Sequence, residues 1–109
     1  MDFDEYQFLA MRTSPYKDNR LKLYHSVFGM TSEAGEVAGI MQKTFQGHDL
    51  DEEHMAKEIG DVLWMITEAC DALNLSLDDV AQMNIEKLKK RYPNGFETER
   101  SLHRSDDDI

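Results

Sequence analysis

The sequence is poor in the residues that stabilise small secreted folds or β-rich folds. It has one cysteine, Cys70, among 109 residues, so no disulfide can form within the chain. It has only two prolines, and no stretch shows the alternation of apolar and polar residues that a half-buried strand requires. The N-terminal end has no basic segment followed by an apolar one, so we expect no signal peptide and a cytoplasmic location.

Positive charge is also scarce. The chain has 12 lysines and arginines against 22 acidic residues, for a formal net charge of −10. This balance argues against non-specific binding to nucleic acid or to an anionic membrane. The longest apolar stretch, residues 59–73, is interrupted by Asp61, Glu68 and Asp71 and cannot span a bilayer. We therefore expect neither nucleic acid nor a membrane as a partner.

Helical periodicity covers most of what the sequence does contain. Apolar residues recur at helical spacing, with Asp2 as an expected cap and Gly47 as an expected stop. The predicted helices are residues 2–12, 21–45, 51–73 and 76–91. The fold class is therefore all-α, close to a four-helix bundle. We expect one domain over residues 1–96, with its core in 21–92, followed by a polar, mobile tail over 97–109.

Two acidic pairs lie near the middle of the two long helices. Glu33 and Glu36 form the first pair, and Glu58 and Asp61 form the second, each with i, i+3 spacing on one helix face. Either pair alone would also suit a solvated surface. Helices joined by a short connection at Gly47 pack antiparallel, which brings the two pairs together. The result would be an oxygen-rich pocket of the kind that hard cations such as Mg²⁺ select.

The arrangement Glu-x-x-Glu, spacer, Glu-x-x-Asp resembles the signature of the MazG-like superfamily of all-α nucleoside triphosphate pyrophosphohydrolases. The block over residues 84–96, with its Arg91-Tyr92-Pro93 run, is similar to the C-terminal block of the small single-domain members. The resemblance covers roughly residues 21–104, which is most of the chain.

The resemblance implies an activity, a cofactor and an assembly. The reaction would be Mg²⁺-dependent hydrolysis of a nucleoside or deoxynucleoside triphosphate to the monophosphate and pyrophosphate, and Mn²⁺ would be a substitute metal. The biological role would be the removal of unwanted nucleotides from the pool (nucleotide house-cleaning). Glu33, Glu36, Glu58 and Asp61 would be the metal ligands. Glu33 would also be the general base, with Glu36 as the open alternative. Members of this size assemble as homodimers or homotetramers.

Five further residues are candidates for binding the substrate. Lys43, Lys87 and Arg91 would contact the phosphates, although each also suits a solvated basic side chain. Asn84 would contact the substrate or make a buried hydrogen bond, and Tyr92 would either donate to a phosphate or pack as a core aromatic residue.

Other polar and aromatic residues have two readings. Trp64 would pack in the core or stack on the base, and His25 and Met30 would either line a base pocket or belong to the core. His48 and His54 flank the connection between the long helices without the spacing of a zinc site.

Two other functions stay open. A phosphoribosyl-ATP pyrophosphohydrolase uses similar acids on similar helices. A non-enzymatic, metal-binding helical interaction module would carry the acids without catalysing a reaction.

Overall fold

The computed structural model describes residues 1–103, and all the regular elements within that range are helices. In chain order they are α1 (Phe3–Met11), α2 (Asn19–Phe45), α3 (Glu52–Ala72), α4 (Leu77–Arg91) and the short α5 (Thr98–Leu102). The all-α prediction is confirmed, and the first four helices begin and end within two residues of the predicted bounds.

An aspartate caps each of the first three helices. The backbone N–H groups of Glu5, Leu21 and His54 donate to carboxylates three residues earlier, at 2.8, 3.0 and 3.0 Å. These carboxylates satisfy amides that have no partner inside the helix. Asp2 and Asp51 are the caps of α1 and α3, and Asp18, in a segment predicted to be a loop, is the cap of α2.

Left-handed backbone conformations follow both long helices. Gly47 follows α2 with φ of 106°, and Asn74 follows α3 with φ of 58°. Glycine and asparagine are the residues that adopt this conformation most readily, which is why the helices end there.

The first compact unit is Met1–Leu77. In it, α2 packs antiparallel to α3, and α1 packs on α3. The Gln7 side chain joins α1 to the segment that follows α3. It accepts a hydrogen bond from Leu77 N at 2.7 Å and donates one to the Leu75 carbonyl at 3.2 Å.

The core of this unit is thin. Its buried apolar residues are mostly small, namely Ala10, Ala69, Cys70, Ala72 and Leu77. Several large apolar side chains are exposed instead, including Phe28 at 70% and Phe45 at 92%. A single chain therefore leaves much of its large apolar surface in water.

The second unit begins at Asp78. The last helical turn of α4 carries basic residues. The chain reverses direction at residues 93–95. On either side of this reversal, the rings of Tyr92 and Phe96 lie 5.1 Å apart. Arg100 Nε donates to the carbonyl of Arg91 at 2.8 Å. The short helix α5 lies in the segment predicted to be a mobile tail, and residues 104–109 of that tail lie outside the described range.

No helix in residues 1–103 has both the length and the apolar character needed to cross a membrane.

Candidate metal and substrate site

Three of the four predicted acidic ligands converge between the long helices. Glu33 of α2 and Glu58 and Asp61 of α3 each offer a carboxylate oxygen, and these oxygens lie within 4.8 Å of one another. Glu33 and Glu58 are half-buried, and Asp61 is exposed. The i, i+3 spacing places both α3 acids on the helix face that meets α2.

The electrostatics of this cluster favour a cation. Burial raises the pKa of Glu33, and the nearby negative charges of Asp61, Glu58 and Glu36 raise it further. Carboxylates held this close repel one another, and a bound divalent ion would relieve the repulsion. A set made only of carboxylate oxygens suits a hard ion such as Mg²⁺.

Glu36 lies apart from this set of three. It is exposed on α2, one turn beyond Glu33, and lines a neighbouring cleft. Its charge still reaches the cluster, because it contributes to the raised pKa of Glu33. The role of Glu36 as a metal ligand therefore stays a prediction.

The cleft lies where α2 ends and α3 begins, and its volume is about 330 Å³. It contains the predicted phosphate ligand Lys43, together with His48 and His54. His54 Nε2 lies 3.3 Å from Glu58 Oε1, so the cleft adjoins the acidic cluster. Sequence reasoning placed the two histidines beside a loop but did not connect them with the acids. The full lining is Glu36, Gly39, Ile40, Lys43, His48, Asp49, Asp51 and His54.

A second polar group lies further along the same helix pair. Glu68 of α3 is completely buried. It accepts a hydrogen bond from Ser14 Oγ at 2.6 Å, and its other oxygen lies 2.5 Å from His25 Nδ1. Sequence reasoning noted Glu68 only as an interruption of an apolar stretch. That interruption was the available signal, because an acid on an apolar helix face needs a buried partner.

Trp64 has a defined structural role beside this group. Its Nε1 donates to the carbonyl of Ala10 at 3.1 Å and to Thr13 Oγ1 at 3.0 Å. Its ring meets that of His25 edge-on at 6.0 Å. These bonds tie the end of α1 to α3 and favour packing over stacking on a base.

Gly29 and Met65 lie between the acidic cluster and the Glu68 group. A Cβ atom on Gly29 would lie 2.3 Å from Met65 Sδ, so the Met65 side chain would have to move to admit it. Glycine at this position therefore allows Met65 to pack directly against the backbone of α2.

The remaining predicted substrate residues belong to the second unit. Asn84 on α4 is exposed, whereas Lys87, Arg91 and Tyr92 are half-buried. The ring of Tyr92 lies 5.1 Å from that of Phe96. The contacts of all four with a substrate stay predictions.

Comparisons with known proteins identify the family. The family described as "MazG nucleotide pyrophosphohydrolase domain" matches residues 25–96, which include both acidic pairs. The chain is also similar to the "Gene 37 protein" of Mycobacterium phage L5, with 30% identity over 105 residues, covering 87% of this chain and 92% of the phage protein. No solved structure gives a significant match. The chain therefore belongs to the MazG nucleotide pyrophosphohydrolase domain family.

Proposed function

We propose that the protein hydrolyses a nucleoside or deoxynucleoside triphosphate to the monophosphate and pyrophosphate, with Mg²⁺ as its cofactor. The observation that carries this proposal is the convergence of Glu33, Glu58 and Asp61 within 4.8 Å, inside the segment that matches the family. Removal of unwanted nucleotides from the cellular pool is the role that follows from this activity.

The donor set fits the proposed cofactor, and Mn²⁺ would be accepted by the same oxygen ligands. Glu33, Glu58 and Asp61 would hold the ion, with Glu36 as a further ligand from the edge of the cleft. When bound, Mg²⁺ would neutralise phosphate charge and lower the pKa of a coordinated water. Glu33 is the candidate to take the proton from the attacking water, and Glu36 is the alternative.

We propose that the leaving diphosphate enters the cleft beside the cluster, which is lined by one lysine and two histidines as well as by the acids Glu36, Asp49 and Asp51. Lys43 supplies a compact positive charge, and His48 and His54 supply ring N–H donors. This protein is strongly acidic overall, so cations near the site matter for a substrate that is itself an anion. Asn84, Lys87, Arg91 and Tyr92 are proposed to contact the rest of the nucleotide.

A nucleotide panel tests the activity directly. Purified protein with Mg²⁺ should release pyrophosphate from at least one triphosphate, and should do so no longer when the metal is chelated. Asp61→Asn should lower kcat/KM by about 1,000-fold, because a metal contributes several kcal/mol to transition-state stabilisation. Glu53→Gln is the matched control, because Glu53 is an exposed acid on the same helix. Release of single phosphates, or full activity in Asp61→Asn, would contradict the proposal.

The same panel separates the alternatives. Turnover of phosphoribosyl-ATP alone would identify a phosphoribosyl-ATP pyrophosphohydrolase instead. Metal binding measured by calorimetry, without turnover of any nucleotide, would identify a metal-binding interaction module.

We also propose that the chain assembles as a homodimer or homotetramer. Tyr24, Val27 and Phe28 form an apolar patch on α2 with exposures of 50%, 47% and 70%, and the rings of Tyr24 and Phe28 stack at 6.4 Å. A second copy would cover this patch and supply the burial that the thin core lacks.

Light scattering of the purified protein tests the assembly. Wild type should give the mass of two or four chains, and Phe28→Asp should give that of one. Phe8→Asp is the matched control, since Phe8 is 71% exposed but lies on α1. A monomeric wild type would refute the proposal, and dissociation by Phe8→Asp alone would move the interface to α1.

A further inference from the structure

The His25–Glu68 pair is a built polar group that the proposed hydrolysis does not use. The side chain of Glu68 is 0% exposed, and both of its oxygens have partners, at 2.6 Å from Ser14 Oγ and 2.5 Å from His25 Nδ1. Burying a carboxylate is unfavourable unless its partners compensate for the lost water. The arrangement therefore holds one histidine ring in a defined orientation.

That orientation fixes which ring nitrogen of His25 is available. A carboxylate accepts hydrogen bonds, so the Nδ1 atom that faces Glu68 carries the proton. Carboxylates orient histidines in this way in many sites, leaving the second nitrogen to act on a ligand. The His25 side chain is 32% exposed, so part of the ring beyond the Glu68 contact can be reached from outside.

Aromatic rings flank the imidazole. The ring of Tyr16 meets it edge-on at 5.2 Å, and that of Trp64 does so at 6.0 Å. Hydrogen bonds from Trp64 to the end of α1 hold the Trp64 ring in this position. A fixed hydrogen-bonding nitrogen beside aromatic rings suits a heterocycle with polar groups on its edge.

The position of His25 matches the base end of a nucleotide. It precedes Glu33 by eight residues on α2, which corresponds to about 12 Å of helix rise. Both residues face α3, because each contacts or approaches acids of that helix. The cleft with Lys43 lies towards the opposite end of α2. A triphosphate centred on the acids would thus have its phosphates towards Lys43 and its base towards His25, and it would pass outside the Gly29–Met65 contact that lies between them.

We propose that His25 recognises the nucleobase of the substrate and that Glu68 is the residue that positions it. The inference rests on the proposed triphosphate hydrolysis and adds a residue that sets its specificity. In the neutral ring with its proton on Nδ1, Nε2 accepts a hydrogen bond, and this form selects a base that offers an amino or imino N–H at that edge.

The test is the discrimination ratio, defined as kcat/KM for the best nucleoside triphosphate divided by that for the poorest. Wild type should discriminate among bases. His25→Phe keeps a ring but has no nitrogen, and it should lower the ratio by about tenfold, the worth of one hydrogen bond, mainly through KM. Glu68→Gln introduces an amide that can donate to Nδ1, which frees the tautomer, and the ratio should fall there as well. If His25→Phe does not fold, His25→Gln, which is a smaller perturbation, replaces it in the measurement of the discrimination ratio.

Asp71→Asn is the matched control. Asp71 pairs with Lys22 at 2.7 Å, one turn beyond Glu68 on α3, so its loss perturbs the same end of the hairpin without touching His25. This variant should keep the wild-type ratio even if its stability falls.

The outcomes separate this inference from the proposed function. A wild type that cleaves no triphosphate refutes the function, and the inference with it. If wild type is active but treats all bases equally, only the inference is wrong. The same holds if folded His25 and Glu68 variants keep the wild-type ratio while overall activity changes.

Discussion

Glu68 and Glu33 both lie where α2 packs against α3, but their surroundings differ. Glu68 is completely buried, and both of its oxygens bond to a neighbouring side chain. Glu33 is half-buried and faces two further acids, Glu58 and Asp61, and its pKa is raised first by burial and then by these charges. The Gly29–Met65 contact lies between the two groups.

This difference separates a structural carboxylate from one that binds a ligand. Where the chain supplies every partner, the carboxylate contributes to the free energy of unfolding. Where the chain brings acids together without enough partners, the folded state is less stable than it could be, and a cation can recover that free energy.

The largest effect on stability should come from Glu68→Ala. Removing this carboxylate leaves His25 and Ser14 without their buried partner, and we expect the free energy of unfolding to fall by about 3 kcal/mol. Urea denaturation measures the change. Glu53→Ala should change it by less than about 0.5 kcal/mol, because Glu53 is on the surface. Equal effects of the two changes would show that the Glu68 carboxylate contributes no more to stability than a surface acid.

Added metal should act in the opposite direction on the acidic cluster. Mg²⁺ at about 100 times its dissociation constant should raise the free energy of unfolding by about 2.7 kcal/mol. Thermal denaturation with and without a chelator measures the effect. Asp61→Asn should abolish most of the increase, whereas Glu53→Gln should retain it. An increase that survives in Asp61→Asn would place the metal elsewhere.

The Gly29–Met65 contact should be sensitive to a single methyl group. Gly29→Ala forces Met65 to move, which outweighs the gain in helix propensity and should destabilise the protein by about 1 kcal/mol. Gly60→Ala meets no atom within 4 Å. That change should stabilise α3 by about 1 kcal/mol through propensity alone. Denaturant midpoints of the two variants should therefore move apart, and a shift in the same direction would show that the contact is loose.

The smallest effect concerns pH in the absence of metal. Because the pKa of Glu33 is raised on folding, the folded protein retains a proton that the unfolded chain releases. Stability therefore declines as pH rises from the ordinary pKa of a glutamate to the raised one. Glu33→Gln should remove this part of the decline and slightly stabilise the metal-free protein at neutral pH. Thermal midpoints across pH 4 to 7 test it, about the range in which carboxylates titrate, and an unchanged slope in Glu33→Gln would contradict it.

The sequence predicted the helices well because their signals are local. Asp2 caps α1 as expected, and Asp51, predicted as the first residue of its helix, is the cap of α3. Asp18 was missed because the polar residues around it resemble a loop, although its carboxylate begins α2. The short α5 was missed because no apolar periodicity marks it.

The site was predicted only in part, because spacing along a helix does not fix which side chains meet across helices. The i, i+3 rule treats Glu33 and Glu36 alike, but only Glu33 joins the set with Glu58 and Asp61. The partnership of His25 with Glu68 spans 43 residues of sequence and depends on the register of α2 against α3. No pattern within either helix specifies that register.

The antiparallel register of α2 and α3 also has a kinetic consequence. The acids meet across a shorter stretch of chain than His25 and Glu68, while Ser14 reaches Glu68 over 54 residues. Loop closure costs more entropy for longer segments, so contacts nearest the connection at Gly47 are the least costly to form first. The hairpin is then expected to close from its connecting turn outwards. In that order, Glu33, Glu58 and Asp61 come together before the Glu68 hydrogen bonds form at the end of the hairpin away from Gly47. Because these carboxylates repel one another, divalent metal present during folding would accelerate their approach.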